Sequence, residues 1–378
     1  MIAANRLIRH GFSAKGVRGA ENDGEDALIY LNARFTGQPM TGVQRAAHEL
    51  GRRLVAMRSD VEALAPGPPR ADYDIPVTVA AELSGHLWEQ ITLPRRVGRS
   101  ALLVGLGGTG PVTLSRQIVM IHDVNYLLGP EGYSPQFRIA YRTIQTLLAR
   151  RATLCTVSHW SAREIGRAFG IEPDAITVIA NAADHVLSIE TDAAARQTLG
   201  IAERPFVLCV GSANPNKNFA TALAAYAALD NPHFDLVIVG GGDPRIFAGS
   251  PLTSHPRVHR LPRISDSALR TLVEEAEAFL MPSLLEGFGI PAIEAMTLGT
   301  PVIAANAAAL PEVCGGAALM VGPLDARAMG EAMVQVCGNA ALRRDLVAKG
   351  RERAADFSWD TSARKLSALI DKTIRHQG

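Results

Sequence analysis

The chain has 378 residues, which is long enough for two domains of ordinary size, each with its own core. Its 38 Lys and Arg nearly balance its 37 Asp and Glu, and a net charge of +1 excludes the strongly basic surface of a typical nucleic-acid-binding protein. No apolar run approaches the ~20 residues of a membrane-spanning helix.

The first part of the chain predicts a mobile leader followed by a strand and a helix. Residues 1–26 are mixed, charged and glycine-containing, and lack the apolar core of a signal peptide. Residues 27–32 predict a strand and residues 43–57 a helix, with Gly42 at the turn between them. In a parallel sheet such a turn opens where ligands bind, although a lone glycine is also common at a simple helix entry.

Two segments imitate sites of other protein classes. Asp72 and Asp74 have the D-x-D spacing of a metal site, but they follow the proline-rich residues 66–69 and predict a solvated loop. Gly105 to Gly110 fit G-x-G-x-x-G, yet no amphipathic helix follows. We therefore expect neither a metal site nor a dinucleotide site.

A third segment, residues 118–121, predicts a buried strand, and it ends in His122 and Asp123. The pair places two polar side chains at the carboxyl end of a strand, where Asp123 could also cap the next turn. Further on, Ser161 is a plausible cap of the helix that follows residues 156–158.

The second half repeats the pattern of a strand followed by glycine. Residues 205–210 predict a strand, and Ser212 and Lys217 lie in the loop before a helix over residues 219–229. A lysine there can neutralise phosphate oxygens, although most lysines are solvated. Residues 235–239 precede a glycine-rich turn, residues 240–243. Residues 257–261 precede Arg263 and Ile264, with Ser265 or Asp266 capping the next helix.

Residues 281–301 carry the strongest chemical signal. Glu286 lies in a loop after a buried strand, and Glu294 lies one turn into a helix that Pro291 can begin and Gly299 can end. Gly287 and Gly289 allow a ligand to approach the backbone, so the N–H groups of residues 288–290 can face an anion. Two carboxylates that flank an anion site suit a nucleotide-sugar, which has hydroxyls on both sides of its phosphates.

This stretch resembles the E-x7-E motif of the family 4 glycosyltransferases, retaining enzymes of the GT-B fold. The resemblance extends to the His122–Asp123 pair, the Lys217 loop and the terminal helix, and covers nearly everything from residue 27 onward. It implies that Glu286 and His122 contact the transferred sugar, Glu294 the ribose and Lys217 the diphosphate. The catalytic residues expected are His122, Lys217 and Glu286, and the donor-binding residues are Gly42, Ser212, Lys217, Arg263, Ile264, Glu286, Gly287, Phe288, Gly289, Ile290 and Glu294.

The fold class implied is α/β, with two doubly wound Rossmann-like domains facing each other across a cleft. We expect an acceptor-side domain over residues 27–186, a donor-binding domain over 187–358 and a terminal helix over 359–378 that crosses back to the first domain. Cys155, Cys209, Cys314 and Cys337 are far apart in mostly apolar runs, which favours reduced thiols in a reducing compartment.

The predicted function is retaining transfer of a hexose from a nucleotide-sugar donor to a saccharide or lipid-linked acceptor, with GDP-mannose as the favoured donor. No cofactor or metal is expected, and the expected location of the protein is the cytoplasm, including the inner face of the membrane. Arg95, Arg96 and Arg99 predict at most weak peripheral membrane contact. A nucleotide-sugar epimerase of the same fold and a non-catalytic nucleotide-sugar-binding subunit remain alternatives.

Overall fold

The computed structural model describes residues 28–201, 203–212, 214–240 and 255–377. The predicted leader and residues 241–243 of the second glycine-rich turn lie outside these ranges. Within them the strands are β1 (Ile29–Asn32), β2 (Val61–Ala65), β3 (Thr78–Val79), β4 (Leu102–Gly105), β5 (Gln117–Met120), β6 (Thr153–Thr156), β7 (Thr177–Val178), β8 (Phe206–Val210), β9 (Asp235–Val239), β10 (Val258–Leu261), β11 (Ala278–Met281), β12 (Val302–Ala305) and β13 (Ala318–Val321). The α-helices are α1 (Gly42–Met57), α2 (Gly85–Leu87), α3 (Leu93–Val97), α4 (Asn125–Leu128), α5 (Pro135–Ala149), α6 (His159–Phe169), α7 (Ala195–Thr198), α8 (Phe219–Ala227), α9 (Asp266–Glu275), α10 (Ile290–Leu298), α11 (Leu310–Cys314), α12 (Ala326–Gly338), α13 (Ala340–Ala355) and α14 (Trp359–Gln377).

The strands form two parallel sheets, one in each half of the chain. The first has the order β3-β2-β1-β4-β5-β6-β7 and the second β10-β9-β8-β11-β12-β13. The strand order reverses between β1 and β4 and again between β8 and β11, and ligands of doubly wound sheets bind at the carboxyl ends of such strands. The predicted α/β fold with two doubly wound domains is confirmed.

Three strands inside the sheets are buried along their whole length, as is typical of parallel strands covered on both faces. Every residue of β4, of β5 and of β11 is buried. Apart from Gln117 in β5, these strands are apolar, which explains both their position in the sheet and the ease of recognising them. The polar side chains follow where these strands end, and there they can line a cleft.

The last helix returns to the first domain. Helix α14 packs against α1. Arg53 Nε of α1 donates to Asp360 Oδ1 at 2.6 Å, and Nη1 of Arg58, the residue after α1, donates to Asp371 Oδ1 at 2.6 Å. These contacts connect residues more than 300 positions apart in the chain. Of the helices in the described ranges, none combines the length and the apolar character that crossing a bilayer requires.

Several predicted element boundaries differ from the observed ones. Ser158, and not Ser161, caps α6, because the Ser158 hydroxyl accepts the N–H of Ser161 at 3.0 Å. The S-x-x-S spacing could not distinguish a cap from the residue that donates to it. Helix α10 begins at Ile290, so Pro291 occupies its second position, and Gly299, which follows its last residue, has φ +85°, as a glycine cap requires.

Smaller shifts affect the other elements. Helix α1 begins at Gly42 itself, and helix α8 ends at Ala227, two residues before the predicted end. Strand β10 starts at Val258. Ser265 caps α9, since its hydroxyl accepts the N–H of Ala268 at 3.2 Å.

Candidate active site

A cavity of about 670 Å³ lies between the two sheets, at the carboxyl ends of their strands. Its wall includes the loops that follow β1, β5, β8 and β11, the strands at and next to the points where the strand order reverses, together with residues that follow β7 and β10. Its volume suits a ligand of nucleotide-sugar size. All the site residues expected from the sequence line this one cavity: Gly42, His122, Ser212, Lys217, Arg263, Ile264, Glu286, Gly287, Phe288, Gly289, Ile290 and Glu294.

Lys217 and Glu286 form an ion pair on the wall of the cavity. Lys217 ends a short 3-10 turn over Pro215–Lys217. The Asn214 side chain caps the start of this turn by accepting the N–H of Asn216 at 2.9 Å. Lys217 Nζ lies 2.6 Å from Glu286 Oε1. The Glu286 residue is only 9% exposed, so its charge needs a close partner. The lysine provides that partner and adds a positive charge to the cavity.

The start of α10 presents backbone N–H groups beside this pair. Gly289 has φ +93°, and a Cβ there would lie 2.6 Å from Leu310 Cδ2, so only glycine fits this turn. Within the described ranges, the N–H groups of Phe288, Gly289 and Ile290 donate to no other residue. Unpaired N–H groups at a helix N-terminus attract anions.

His122 and Asp123 lie across the cavity, after strand β5. His122 Nε2 donates to the carbonyl oxygen of Leu106 at 2.8 Å, and burial lowers the pKa of His122. The ring is therefore neutral near pH 7, and its Nδ1 is an acceptor that suits a ligand hydroxyl. Asp123 Oδ1 accepts the N–H of Asn125 at 3.0 Å, which confirms the expected cap. Burial, and the nearby charge of Glu286, raise the pKa of Asp123.

Side chains of the first domain form hydrogen bonds to the loop that carries Glu286. The hydroxyls of Ser158 and Ser161 both donate to the carbonyl oxygen of Gly287, at 2.6 and 3.1 Å. In the other direction, the Glu312 carboxylate of the second domain accepts the N–H groups of His159 and Trp160, at 2.7 and 2.8 Å. The two domains are therefore closed against each other at this loop.

The remaining predicted residues occupy the rim of the cavity. Gly42 is the first residue of α1. The atom nearest to a Cβ placed there would be Ile290 Cδ1, at 4.0 Å, so a side chain has room at this position. Arg263 and Ile264 lie between β10 and α9, and Ser212 follows β8; Arg263 and Ser212 are exposed. Glu294 lies one turn into α10, where its Oε1 is 3.1 Å from His185 Nε2.

The residues that imitate other sites lie elsewhere. Asp72 and Asp74 are exposed, and Asp74 Oδ1 contacts His48 Nε2. In the described residues, no group of three or more His, Cys, Asp or Glu side chains is arranged to hold a metal. The glycines after β4 lead through a loop directly to β5, so the expectation that no helix opens there is confirmed. The four cysteines are free and buried, and burial raises the pKa of Cys155 to about 12.

Sequence reasoning missed four polar residues of the cavity wall. His185 Nε2 contacts Glu294 Oε1, and His185 lies in the 3-10 turn that follows β7. The side chains of Asn125, Asn181 and Asn216 are at least nine-tenths buried, and each has an amide atom with no partner among the described residues. Their position after strands β5, β7 and β8 was the available signal, because such positions face the cleft.

Known proteins share both the sequence and the fold of this chain. Residues 191–353 match the family described as Glycosyl transferases group 1. The O-antigen chain mannosyltransferase B of Escherichia coli is 30% identical over 66% of this chain and 68% of its own length. The MMP alpha-(1->4)-mannosyltransferase of Mycolicibacterium hassiacum is 32% identical over 58% of this chain and 54% of its own length.

A solved structure extends the likeness to both domains. The structure of Anabaena Alr3699/HepE in complex with UDP-glucose superimposes with a TM-score of 0.70 at 18% identity, covering 92% of this chain and 99% of that chain. The fold is therefore GT-B, and the chain belongs to the group 1 glycosyl transferase family.

Proposed function

We propose that this chain transfers a hexosyl group from a nucleoside diphosphate sugar to a hydroxyl of a saccharide or lipid-linked acceptor. The donor we favour is GDP-mannose. Transfer proceeds with retention at the anomeric carbon, needs no divalent metal and takes place in the cytoplasm. The observation that carries the proposal is the Lys217–Glu286 pair beside the unpaired N–H groups at the start of α10.

This arrangement suits a diphosphate leaving group. The bond between the sugar and the diphosphate breaks with growing negative charge on the phosphate oxygen, and a fixed ammonium group beside a helix N-terminus stabilises that charge. The same positive groups replace a divalent cation in the proposal. Glu286 then lies next to the anomeric centre, where it stabilises positive charge that develops on the sugar.

Other features support the finer parts of the proposal. His122 Nδ1 is an acceptor on the opposite wall and suits a hydroxyl of the transferred sugar. The likeness to the two mannosyltransferases supports mannose as the transferred sugar, and the likeness to the O-antigen enzyme supports a saccharide acceptor. The HepE complex supports a nucleotide-sugar donor. Retention rests on the likeness to family 4, and the free, buried cysteines favour the cytoplasm.

The test measures release of nucleoside diphosphate from GDP-mannose, UDP-glucose and other common donors, first alone and then with saccharide and lipid-linked acceptors. We expect acceptor-dependent release with one donor, unchanged in EDTA, and a product whose anomeric configuration by NMR matches the donor. Loss of activity in EDTA that Mg²⁺ or Mn²⁺ restores would refute metal independence.

Two further outcomes decide between the alternatives. Conversion of the donor to an altered nucleotide-sugar without an acceptor would favour an epimerase. Binding of a donor with no turnover under any acceptor would favour a non-catalytic subunit. A protein that neither binds nor turns over any nucleotide-sugar overturns the proposal as a whole.

A further inference from the structure

One imidazole connects the cavity to the terminal helix. His185 lies in the 3-10 turn Asp184–Ser188, and only 6% of the residue is exposed. On one side its Nε2 is 3.1 Å from Glu294 Oε1, and on the other its Nδ1 accepts the indole N–H of Trp359 at 3.1 Å. Trp359 is fully buried at the start of α14. The ring thus makes one contact on each of two elements that are distant in the chain.

The chemistry of the indole determines where the imidazole proton lies. An indole N–H is a donor only, so His185 Nδ1 must carry a lone pair. The proton of the neutral ring is then on Nε2, and it points at Glu294 Oε1. His185 therefore donates to the carboxylate, and Trp359 selects the tautomer that allows it to do so.

The start of α14 is itself fixed to the segment that carries His185. The backbone N–H of Trp359 donates to Asp184 Oδ1 at 3.0 Å, and the Ser362 hydroxyl donates to the carbonyl oxygen of Ala180 at 2.6 Å. The indole consequently has little freedom to turn away from the imidazole. Its hydrogen bond to His185 is a stable feature of the closed protein.

Glu294 needs such support because it is only partly buried. Its side chain is 22% exposed and lines the cavity, and a glutamate side chain in that position would otherwise sample several rotamers. Holding a ligand-binding carboxylate in one orientation before the ligand arrives removes that loss of freedom from the binding step.

We propose that His185 is a positioning residue for Glu294, which fixes one carboxylate oxygen so that the carboxylate faces the ribose of the donor. The role rests on the proposed function, because the ribose contact belongs to that proposal. His185 does not touch the reacting atoms, so it acts on donor affinity and leaves the chemical step unchanged. Trp359 belongs to the same unit and acts through His185.

Two substitutions separate the two nitrogen atoms of the ring. In His185→Gln, the longer side chain places an amide N–H near the position of Nε2 and retains a donor for Glu294. In His185→Asn, the shorter side chain reaches only the position of Nδ1, so the bond to Trp359 survives and the bond to Glu294 is lost. Thermal melting of both variants reports on folding separately from binding.

The experiment measures the dissociation constants of GDP and of UDP by calorimetry, together with kcat and the donor KM. For whichever nucleotide the wild type binds, we expect His185→Asn to raise the dissociation constant and the donor KM about 10-fold each, in keeping with a lost hydrogen bond to a charged group. Its kcat should stay within about 2-fold, since uniform binding alone is lost. His185→Gln should bind within about 3-fold of the wild type, because its donor remains.

A double-mutant cycle shows whether the effect passes through Glu294. In a Glu294→Ala background, His185→Asn should change the nucleotide affinity by less than about 2-fold. Equal affinities of the wild type and a folded His185→Asn variant would overturn the positioning role alone. An undiminished effect of His185→Asn in the Glu294→Ala background would also overturn it, as would equal losses in the Asn and Gln variants.

Failure of the proposed function gives a different result. In that case the wild type binds neither GDP nor UDP, and the positioning role falls with it. Should His185→Asn not fold, His185→Gln and Trp359→Phe decide the question. His185→Gln must retain the nucleotide affinity of the wild type. Trp359→Phe must raise the nucleotide dissociation constant and retain kcat, and any other result contradicts the proposal.

Discussion

The ammonium group of Lys217 lies 2.6 Å from Glu286 Oε1, and this contact joins the loops that follow β8 and β11. A second bond ties the same loops together, because the N–H of Leu284 donates to the carbonyl oxygen of Asn216 at 2.8 Å. The positive and negative groups of the site are therefore held at a fixed separation. A diphosphate that enters the cavity meets a lysine that is already oriented.

Removal of the lysine should damage both binding and chemistry. In Lys217→Ala the donor loses its cationic partner in the bound state and in the transition state, so kcat should fall and KM should rise. A charged hydrogen bond is worth about 1.5–3 kcal/mol, which corresponds to a roughly 10- to 150-fold loss of kcat/KM. Steady-state kinetics with the preferred donor measure the effect.

Lys349→Ala is the matched control. Lys349 Nζ pairs with Asp345 Oδ2 at 2.6 Å, but both side chains are about half exposed on α13. Exposed pairs of this kind contribute little, so this variant should be as active as the wild type. Near-normal kcat/KM in a folded Lys217→Ala variant would show that the assigned site is wrong.

The two glutamates should fail in different ways. Glu286→Gln removes the charge beside the anomeric centre, and we expect a strong decrease in kcat. Glu294→Gln disturbs a contact to a part of the donor that does not change during the reaction, so it should raise KM roughly 10- to 150-fold and leave kcat close to normal.

Glu331→Gln provides the comparison, since Glu331 is an exposed residue of α12 whose ion-pair partner Arg327 is also exposed. It should change neither parameter. If Glu286→Gln affected only KM and Glu294→Gln only kcat, the two assigned roles would have to be exchanged.

The sequence was sufficient to place the site because its residues follow strands. Buried apolar strands are recognisable one at a time, and the carboxyl ends of parallel strands meet at one edge of a sheet. Lys217 and Glu286 are 69 positions apart, yet each lies in the loop that follows a predicted strand, so their meeting could be anticipated.

The contacts between the domains could not be anticipated in the same way. His185 and Trp359 are 174 positions apart, and Ser158 and Gly287 are 129 apart. No local pattern states how two domains dock, because docking depends on the shapes of both surfaces. The S-x-x-S segment predicted only a helix cap. In the structure the Ser158 hydroxyl caps α6 and also donates to Gly287 of the other domain, and the Ser161 hydroxyl donates to Gly287 as well.

Acid should destabilise the protein in part through His122. Burial lowers the pKa of His122 below the ordinary histidine value of about 6.5, so the unfolded chain binds this proton more readily than the folded protein. Stability then rises with pH in this window, and it is lost as the pH falls below about 6.5 toward the folded pKa. One such group changes the free energy of unfolding by at most about 1.4 kcal/mol per pH unit.

The measurement compares melting temperatures at pH 7.5 and pH 5.0. His122→Gln retains a donor for the Leu106 carbonyl but cannot be protonated, so it should lose less stability than the wild type over this interval. His159→Gln, at an exposed position of α6, should behave like the wild type. Equal acid sensitivity of His122→Gln and the wild type would contradict this account of His122.

Closure of the two domains should depend on the absence of a side chain at residue 287. A Cβ on Gly287 would lie 2.7 Å from the carbonyl oxygen of His122 and 3.1 Å from Asp123 Cβ. The clashing oxygen is a backbone atom, so no side-chain rotation can relieve the contact. In Gly287→Ala the first domain must therefore move off the Glu286 loop, which also separates Ser158 from its acceptor.

We expect Gly287→Ala to lower the free energy of unfolding by about 1–3 kcal/mol, as overpacking does, and to lower kcat/KM by more than about 10-fold because the halves of the site move apart. Gly316→Ala is the control, since a Cβ there has no neighbour within 4 Å. Chemical denaturation and kinetics on both variants check the prediction. A Gly287→Ala variant with normal stability and normal kcat/KM would mean that the domains work at a wider separation than the one described here.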